Sequence, residues 1–470
     1  MKRVLLSVCL LAGGNSQAAA PAIPSAQRWL ESVEKELAPF WLHQDAAGHP
    51  IGNFPTYRCN DGSLYQQMEP CDDLAFAPEW MKPHLGESYT RMQARHTFVY
   101  GVIFHLTGDK QALELAKAGV DYLREHLLEE QGSVISVREA GQSIYSAQQR
   151  TTQDLAYAQL GMAFYYYLSG DQQVLADILK VKDYIFEQYW DADSQRLRWV
   201  NAPSNNGSGD EIELVAQLDQ INGYMLLVSP LLPEPHKSQW DADLAKLLDT
   251  IISQFLRPQE FRFWGTKHGQ EYQLDSARHN DFGHTAKSWW MTWLAAEYLG
   301  NSKLALQSQA GLKQTLDAAF IEHGEGGWRR LPNGAPAIWW EYAELDQSAA
   351  TLALVDPSAS HYLASTYPQW FDRFIAEDGG TYPVANKGLK IHLWKSDYHS
   401  LEHALVAYLT SAQLNGEPAR LYFAMPANQA ALRQPYFYQA KQAQASKVGE
   451  WQGLPISEVN YQGIGIKQHN

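Results

Sequence analysis

The sequence predicts an all-α protein, an (α/α)6 barrel of twelve helices with a short irregular or β-stranded tail at its C-terminus. Apolar residues recur at helical spacing through most of the 470-residue chain. The connections between the predicted helices alternate between short turns and long loops. Six antiparallel pairs joined by tight turns place the long loops at one end, where a ligand would bind. An open helical solenoid is the structural alternative.

The helical segments follow one another along the chain in a regular order. They are residues 24–42, 87–106, 110–129, 148–168, 171–188, 211–231, 237–255, 283–299, 302–320, 338–354, 357–375 and 397–413. Short turns such as Thr107-Gly108-Asp109 and Ser169-Gly170-Asp171 join the members of a pair. No low-complexity linker divides residues 21–415, so we expect one barrel domain there and a separate extension at 416–470.

The composition restricts the partners of the protein. Its formal net charge of −15 argues against nucleic acid, because phosphates need a basic surface. The 16 Trp and 25 Tyr residues fill cores, but such rings also stack on sugar faces. We expect a small-molecule carbohydrate as the partner of a monomer or homodimer.

The N-terminus has the pattern of a secretory signal peptide over residues 1–20. Met1-Lys2-Arg3 precedes an apolar run from Val4 to Gly13, and small residues end the segment at Ala18-Ala19-Ala20. The run is too short to span a bilayer, and no later segment is long and apolar enough. We therefore expect a periplasmic or secreted protein with no membrane span.

Two cysteines, Cys59 and Cys71, remain once Cys9 leaves with the signal peptide. In an oxidising compartment a disulfide between them is expected, and two free thiols are the alternative. A metal site would need further ligands that the sequence does not show, so we expect no metal.

Candidate acid–base residues open the last predicted helix. His399 and His403 lie one turn apart on one face, Glu402 lies between them in sequence, and Trp394 and Tyr398 precede them. Imidazole titrates nearest to neutrality, and acid–base groups beside aromatic rings suit a sugar pocket. An incidental polar cluster at a helix end is the alternative.

Three other helices carry related chemistry. Arg95 lies on the buried face of the second helix, and a guanidinium binds two sugar oxygens at once. His284 opens the eighth helix, where Asp281 is placed to cap it. In the tenth helix Trp339-Trp340 and Glu344 suit either a sugar or the core. No phosphate-binding Gly loop or nucleophile elbow is evident, so no organic cofactor is expected.

Several ordered motifs resemble the N-acylglucosamine 2-epimerase superfamily, which includes cellobiose 2-epimerases and mannose-type aldose–ketose isomerases. The motifs are Gln93-x-Arg95 with Phe98, Thr152-Gln153-Asp154-Leu155-Ala156-Tyr157, Gly283-His284, Trp339-Trp340-x-x-Ala343-Glu344 and Trp394-Lys395-x-x-Tyr398-His399. The resemblance covers roughly residues 87–405. It implies an (α/α)6 barrel and a reaction at C2, or at C1 and C2, of a reducing-end mono- or oligosaccharide.

The resemblance also implies roles for individual residues. Arg95 would bind the sugar near its reacting end, and His284 and His399 would move protons through an enediolate. The candidates for substrate binding are Trp340, Glu344, Trp394, Tyr398, Glu402, His403, Asp154, Tyr157, Asp219 and Tyr224.

Three departures from the family pattern are visible. The sixth helix has no histidine over residues 218–224, Lys287 stands where the family often has Glu, and His403 follows where it often has Arg. A rebuilt proton relay would use Asp219, Tyr224 or His403.

Two other functions remain open at the level of sequence. A glycoside hydrolase or polysaccharide lyase on the same barrel would need a pair of carboxylates, for which Glu344, Glu402 or Asp154 are candidates. A non-catalytic sugar-binding protein is the third reading, suggested by the missing histidine.

Overall fold

The computed structural model describes residues 22–269, 271–322, 326–385, 388–392 and 396–467. The predicted signal peptide and Trp394 therefore lie outside the described residues. Within them, the twelve expected helices are present at the expected places, and the all-α fold class is confirmed. No described helix is long and apolar enough to cross a membrane.

The barrel helices are numbered in chain order, and three of them contain a π-helical turn. They are α1 (Ala26–Ser32, Val33–Leu37 and Ala38–Trp41), α2 (Thr90–Thr107), α3 (Lys110–His126), α4 (Thr152–Ser169), α5 (Gln172–Tyr189), α6 (Leu214–Gln220, Ile221–Met225 and Leu226–Val228), α7 (His236–Thr250 and Ile251–Phe255), α8 (Phe282–Leu299), α9 (Ser302–Ala319), α10 (Trp339–Ala353), α11 (Ser360–Arg373) and α12 (Tyr398–Leu414).

The even-numbered helices form a closed inner ring. Almost all of their residues are buried, as expected for helices covered on every side. Each contacts the next, and α12 returns to contact α2. The odd-numbered helices pack outside them with an amphipathic pattern, burying one face each. Because the ring closes, the structure is a barrel and not an open solenoid.

The short turns that join inner to outer helices share one local mechanism. Helices α2, α4 and α8 end at Gly108, Gly170 and Gly300, whose φ angles of 75°, 69° and 76° are left-handed and favour glycine. The next residue then caps the following helix: the side chain of Asp109, for example, accepts from the Ala112 backbone N–H. These turns reverse the chain tightly, so the long loops all gather at the other end, the mouth of the barrel.

Short strands within the loops stiffen the mouth and change two helix boundaries. Strands β1 (Glu87–Tyr89), β2 (Val137–Glu139) and β3 (Gln142–Ser143) form one antiparallel sheet, and the two-residue pairs are β4 (Trp190–Asp191) with β5 (Arg196–Leu197), β6 (Ile212–Glu213) with β9 (Thr266–Lys267), and β7 (Leu256–Arg257) with β8 (Arg262–Phe263). The predicted second and sixth helices therefore begin late, at Thr90 and Leu214, because the residues before them pair with other loops.

The tail closes the end of the barrel opposite the mouth. It consists of β10 (Ala419–Phe423), a short helix α13 (Ala427–Ala430), β11 (Gln439–Trp451) and β12 (Leu454–Gly465), with β12 in the centre of an antiparallel sheet. Its backbone meets the C-terminal ends of inner helices: the Tyr422 carbonyl lies 2.8 Å from His105 Nδ1, and the Ala424 N–H donates to the Leu168 carbonyl.

A disulfide joins Cys59 and Cys71 in the long loop after α1. Asn60, next to Cys59, holds a second mouth loop: its side-chain amide donates to the Gly388 carbonyl at 2.5 Å, and its Oδ1 accepts from the Lys390 N–H at 2.7 Å. The cross-link thus supports two loops at the mouth.

Replacing both cysteines, as Cys59→Ser with Cys71→Ser, is expected to lower the free energy of unfolding by about 2–3 kcal/mol, because the unfolded chain regains loop entropy. Urea denaturation of the oxidised protein measures this difference. A reductant should destabilise the wild type and leave the double variant unaffected. Equal stability of wild type and variant would contradict the expectation.

Candidate active site

A cavity of about 180 Å³ lies at the mouth, among the N-terminal turns of the inner helices. We call it the central cavity. All six inner helices point their N-termini towards it, so their dipoles favour negative charge there. Its lining consists of Arg91, Arg95, Gln153, Tyr157, Asp219, His279, His284, Lys287, Trp339, Trp340, His392 and His399.

His399 forms the first of two histidine–carboxylate pairs. It lies in the first turn of α12, and its Nδ1 is 3.0 Å from Oε1 of Glu344 on α10. This contact engages Nδ1 and leaves the other ring nitrogen, Nε2, for a ligand in the cavity that His399 lines. Burial, followed by the positive charges of Arg95 and Lys287, lowers the pKa of His399 well below its ordinary value. The imidazole is therefore neutral at neutral pH.

His284 forms the second pair with Asp281 at the start of α8. One carboxylate oxygen of Asp281 accepts from the His284 backbone N–H at 2.8 Å, and the other lies 2.8 Å from Nδ1 of its ring. Burial opposes ionisation of Asp281, but the adjacent His284 lowers the pKa of this carboxyl to about 2. The helix cap and the orientation of the imidazole thus come from one residue.

Trp340 brings the two pairs into one site. Its ring centroid is 4.7 Å from that of His284 and 5.9 Å from that of His399. The indole is partly exposed on the cavity side. It offers a flat apolar surface between two acid–base groups, which is what a sugar ring stacks on.

Lys287 and Asp219 form a buried ion pair in the wall of the cavity. The Lys287 ammonium lies 3.3 Å from Asp219 Oδ1 and 3.7 Å from Glu344 Oε1. Gln153 donates to the second oxygen of Asp219 at 2.7 Å. Burial disfavours the charged lysine, but Tyr157 and Asp219 raise its pKa above the ordinary value. Lys287 is therefore a fixed cation.

Arg95 projects from α2 between two aromatic rings. Its guanidinium lies 4.3 Å from the ring centroid of Tyr157 and 5.4 Å from that of Tyr398. The Tyr398 hydroxyl accepts from Asn222 on α6 at 2.7 Å. Tyr157 on α4 and Tyr398 on α12 therefore present the ring faces that orient the guanidinium.

Glu402 lies one turn below His399 and is reached from the tail. The Tyr436 hydroxyl donates to its Oε1 at 2.6 Å. Burial, and then the neighbouring Glu344, raise the pKa of Glu402 to about 7. The carboxyl is fully buried, so it acts on the layer beneath the cavity and not on a ligand directly.

The predicted site residues therefore fall into three groups. Arg95, Tyr157, Asp219, His284, Trp340 and His399 line the cavity, and Glu344, Tyr398 and Glu402 support it from below.

The third group does not line the cavity. Asp154 binds Arg91, the Tyr224 hydroxyl donates to Gln220, and His403 Nε2 lies 3.2 Å from Asp346. Of the three proposed relay residues, only Asp219 reaches the site.

Several lining residues were missed, although helical spacing could have found most of them. Arg91 precedes Arg95 by four positions, Gln153 precedes Tyr157 by four, and Lys287 follows His284 by three, so each shares a helix face with a predicted residue. His279 and His392 lie in loops, whose course no periodicity predicts.

One group of described side chains has the spacing of a metal site. The ligand atoms of Glu344, His399 and Glu402 lie within 4.8 Å of one another. The Lys287 ammonium beside Glu344 already supplies positive charge there and disfavours a cation. Cys59 and Cys71, which lie near Asp73, are joined in the disulfide and cannot act as thiolate ligands.

Solved structures share this fold. Cellobiose 2-epimerase from Bacillus thermoamylovorans B4167 matches with 14% identity and a TM-score of 0.64, covering 82% of this chain and 98% of its own. D-mannose isomerase matches with 14% identity and a TM-score of 0.63, covering 82% and 97%. A family 76 glycoside hydrolase from a bovine Bacteroides thetaiotaomicron strain matches with 12% identity and a TM-score of 0.60, covering 82% and 78%.

These likenesses confirm the fold that the sequence motifs implied. No protein family model matches this chain, and no curated protein matches it. At identities of 12–14% the shared property is the barrel, which carries both sugar epimerases or isomerases and glycoside hydrolases.

The raised pKa of Glu402 predicts a pH-dependent stability. Its pKa rises from 4.5 to about 7 on folding, so the folded state binds more protons between these values and loses stability as the pH rises through this window. Glu402→Gln stays neutral and is expected to be more stable than wild type at pH 8 by about 1–3 kcal/mol.

Urea denaturation at pH 5 and pH 8 tests this expectation. Glu450→Gln is the matched control, because Glu450 is exposed on the tail. If the stability difference between Glu402→Gln and wild type is the same at both pH values, the assignment is wrong.

Proposed function

We propose that this protein is a sugar epimerase or isomerase that acts at C2, or at C1 and C2, of a reducing-end mono- or oligosaccharide. One observation carries the proposal: two imidazoles, each oriented by its own carboxylate, face one cavity beside two fixed cations. The shared fold with a cellobiose 2-epimerase and a D-mannose isomerase supports it.

The proposed reaction explains why the site needs these groups. The proton at C2 of an open-chain aldose is very weakly acidic, so a base must be precisely placed and the developing oxyanion must meet donors. Removal of this proton forms an enediolate. Return of a proton to C2 from the opposite face gives the epimer, and return to C1 gives the ketose.

His399 and His284 take the two proton-transfer roles in this proposal. His399 is neutral at neutral pH and therefore accepts the proton through Nε2. The ionised Asp281 holds His284 with Nε2 towards the cavity, from where it returns a proton. The Trp340 ring lies against both imidazoles and provides the surface on which the sugar would stack.

Arg95 and Lys287 stabilise the enediolate. Both are fixed cations in a largely buried wall, where a charge interacts more strongly than in water. In the resembling family the corresponding positions often carry Glu on the eighth helix and His on the sixth. Here Lys287 stands where the family often has Glu, and residues 218–224 of the sixth helix contain no histidine.

The glycoside hydrolase reading has weaker support. Such an enzyme needs two carboxylates that flank the scissile bond. Among the described residues lining the central cavity, Asp219 is the one carboxylate, and it is bound to Lys287. Glu344 and Glu402 are fully buried beneath the cavity.

We also propose that the protein is exported. A disulfide persists in an oxidising compartment such as the periplasm or the extracellular space, and the Cys59–Cys71 pair supports such a location.

Proton NMR of the purified protein with reducing sugars in D2O tests the reaction. Deuterium at C2 of an epimer, or at C1 of a ketose, is the expected result. Chain shortening of an oligosaccharide without exchange would instead support the hydrolase or lyase reading. Binding without exchange or cleavage would support a sugar-binding protein.

His399→Ala and His284→Ala are each expected to lower kcat by about 10²–10⁴-fold while the fold is retained. The same NMR assay measures the rate, and circular dichroism checks the fold. His361→Ala is the matched control, because His361 is exposed on α11, away from the cavity. Near-normal exchange by His399→Ala would rule out its role as the base.

A further inference from the structure

A second cavity of about 340 Å³ adjoins the central cavity. We call it the side cavity. The two share His279, His284 and Trp340 in their linings, so a molecule in one is in contact with the wall of the other. The side cavity is in the size range of small-molecule sites, which begins at roughly 300 Å³. A saccharide with its reducing end in the central cavity would place its next unit here.

Arg330 supplies a cation to the wall of the side cavity, and two hydrogen bonds fix its backbone. Its backbone N–H donates to the Ala335 carbonyl at 2.6 Å, and its carbonyl accepts from the Phe282 N–H at 2.9 Å, at the start of α8. Its side chain is 41% exposed. Among the described residues the guanidinium makes one polar contact, from Nε to Glu341 at 3.1 Å, which leaves its two terminal nitrogens for a ligand.

The charge of Arg330 is poorly balanced by its neighbour. Burial, and then the nearby Asp281, raise the pKa of Glu341 to about 8, so this carboxyl is mostly protonated at neutral pH. A neutral Glu341 does not cancel the charge of the guanidinium.

The other charged groups of the side cavity have partners. Asp275 lies 2.6 Å from Arg262, and Asp281 binds His284. Arg278 binds both Glu211 and Glu213. Arg330 is therefore the charged residue of this lining whose terminal nitrogens have no polar partner among the described residues.

The geometry points to an acidic substrate: the side cavity binds an anionic group, a carboxylate or a sulfate ester, on the sugar unit next to the reducing end. Arg330 provides the recognition, because its planar fork matches two oxygens of such a group. This inference rests on the proposed function and specifies its substrate class.

Two matched disaccharides test the inference, one neutral and one with a uronic acid as its second unit. The expected result is a higher kcat/KM for C2 exchange with the acidic sugar. Arg330→Gln should lower the ratio of acidic to neutral kcat/KM by about 10–100-fold, the value of a charged hydrogen bond. A disaccharide sulfated on the same unit distinguishes sulfate from carboxylate recognition.

Two further variants sharpen the comparison. Arg330→Lys keeps the charge and loses the fork, so it should recover part of the ratio. Arg198→Gln, which removes a half-exposed arginine paired with Asp191 elsewhere, should leave the ratio unchanged. A preference for the neutral sugar, or a ratio that Arg330→Gln does not alter, overturns the inference.

Calorimetry separates this inference from the proposed function. The probe is the acidic disaccharide reduced to its alditol, which cannot form an enediolate. Binding that Arg330→Gln weakens supports the side cavity even if no sugar shows exchange. No binding of the alditol and no exchange of the acidic disaccharide would overturn the inference.

Discussion

Lys287 and Asp219 form an ion pair in the buried wall of the central cavity. The charges of this pair affect the protonation of the neighbouring groups. A buried charge needs a partner, because the desolvation of an unpaired ion costs several kcal/mol. Asp219 satisfies this need, and Gln153 completes its hydrogen bonding. The resulting fixed cation helps to keep His399 neutral. The pair thus links a constraint of folding to the protonation state of a candidate base.

The closed ring makes this arrangement possible. Each inner helix contributes its first turns to one small volume, so groups far apart in sequence become neighbours: Lys287 and Asp219 are 68 positions apart. The tail adds a contact from the opposite end through Tyr436 and Glu402. The layer beneath the cavity is therefore held from both sides. The pKa of Glu402 depends on groups from both ends of the barrel.

Much of the site could be predicted from helical spacing and motif order. His284 and His399 are predicted because each lies near the start of a predicted inner helix, and Arg95 because it lies on the buried face of another. The structure brings the three together. His403 was also expected, since it shares a face with His399, but one further turn carries it down to Asp346 among the rings of Trp29 and Trp370. Spacing gives the face of a helix and not the depth at which the cavity ends.

The sequence by itself determined the number and order of the helices, the tight Gly-Asp turns and the cysteines close enough to pair, because these depend on local conformation and on neighbours along the chain. The tertiary structure decided which carboxylate meets which base. Glu344 orients His399 from another helix, and Arg330 enters the wall of the side cavity from a loop. Such partnerships depend on how the ring closes, since distances between helices are set by packing across the barrel and not by separation in sequence.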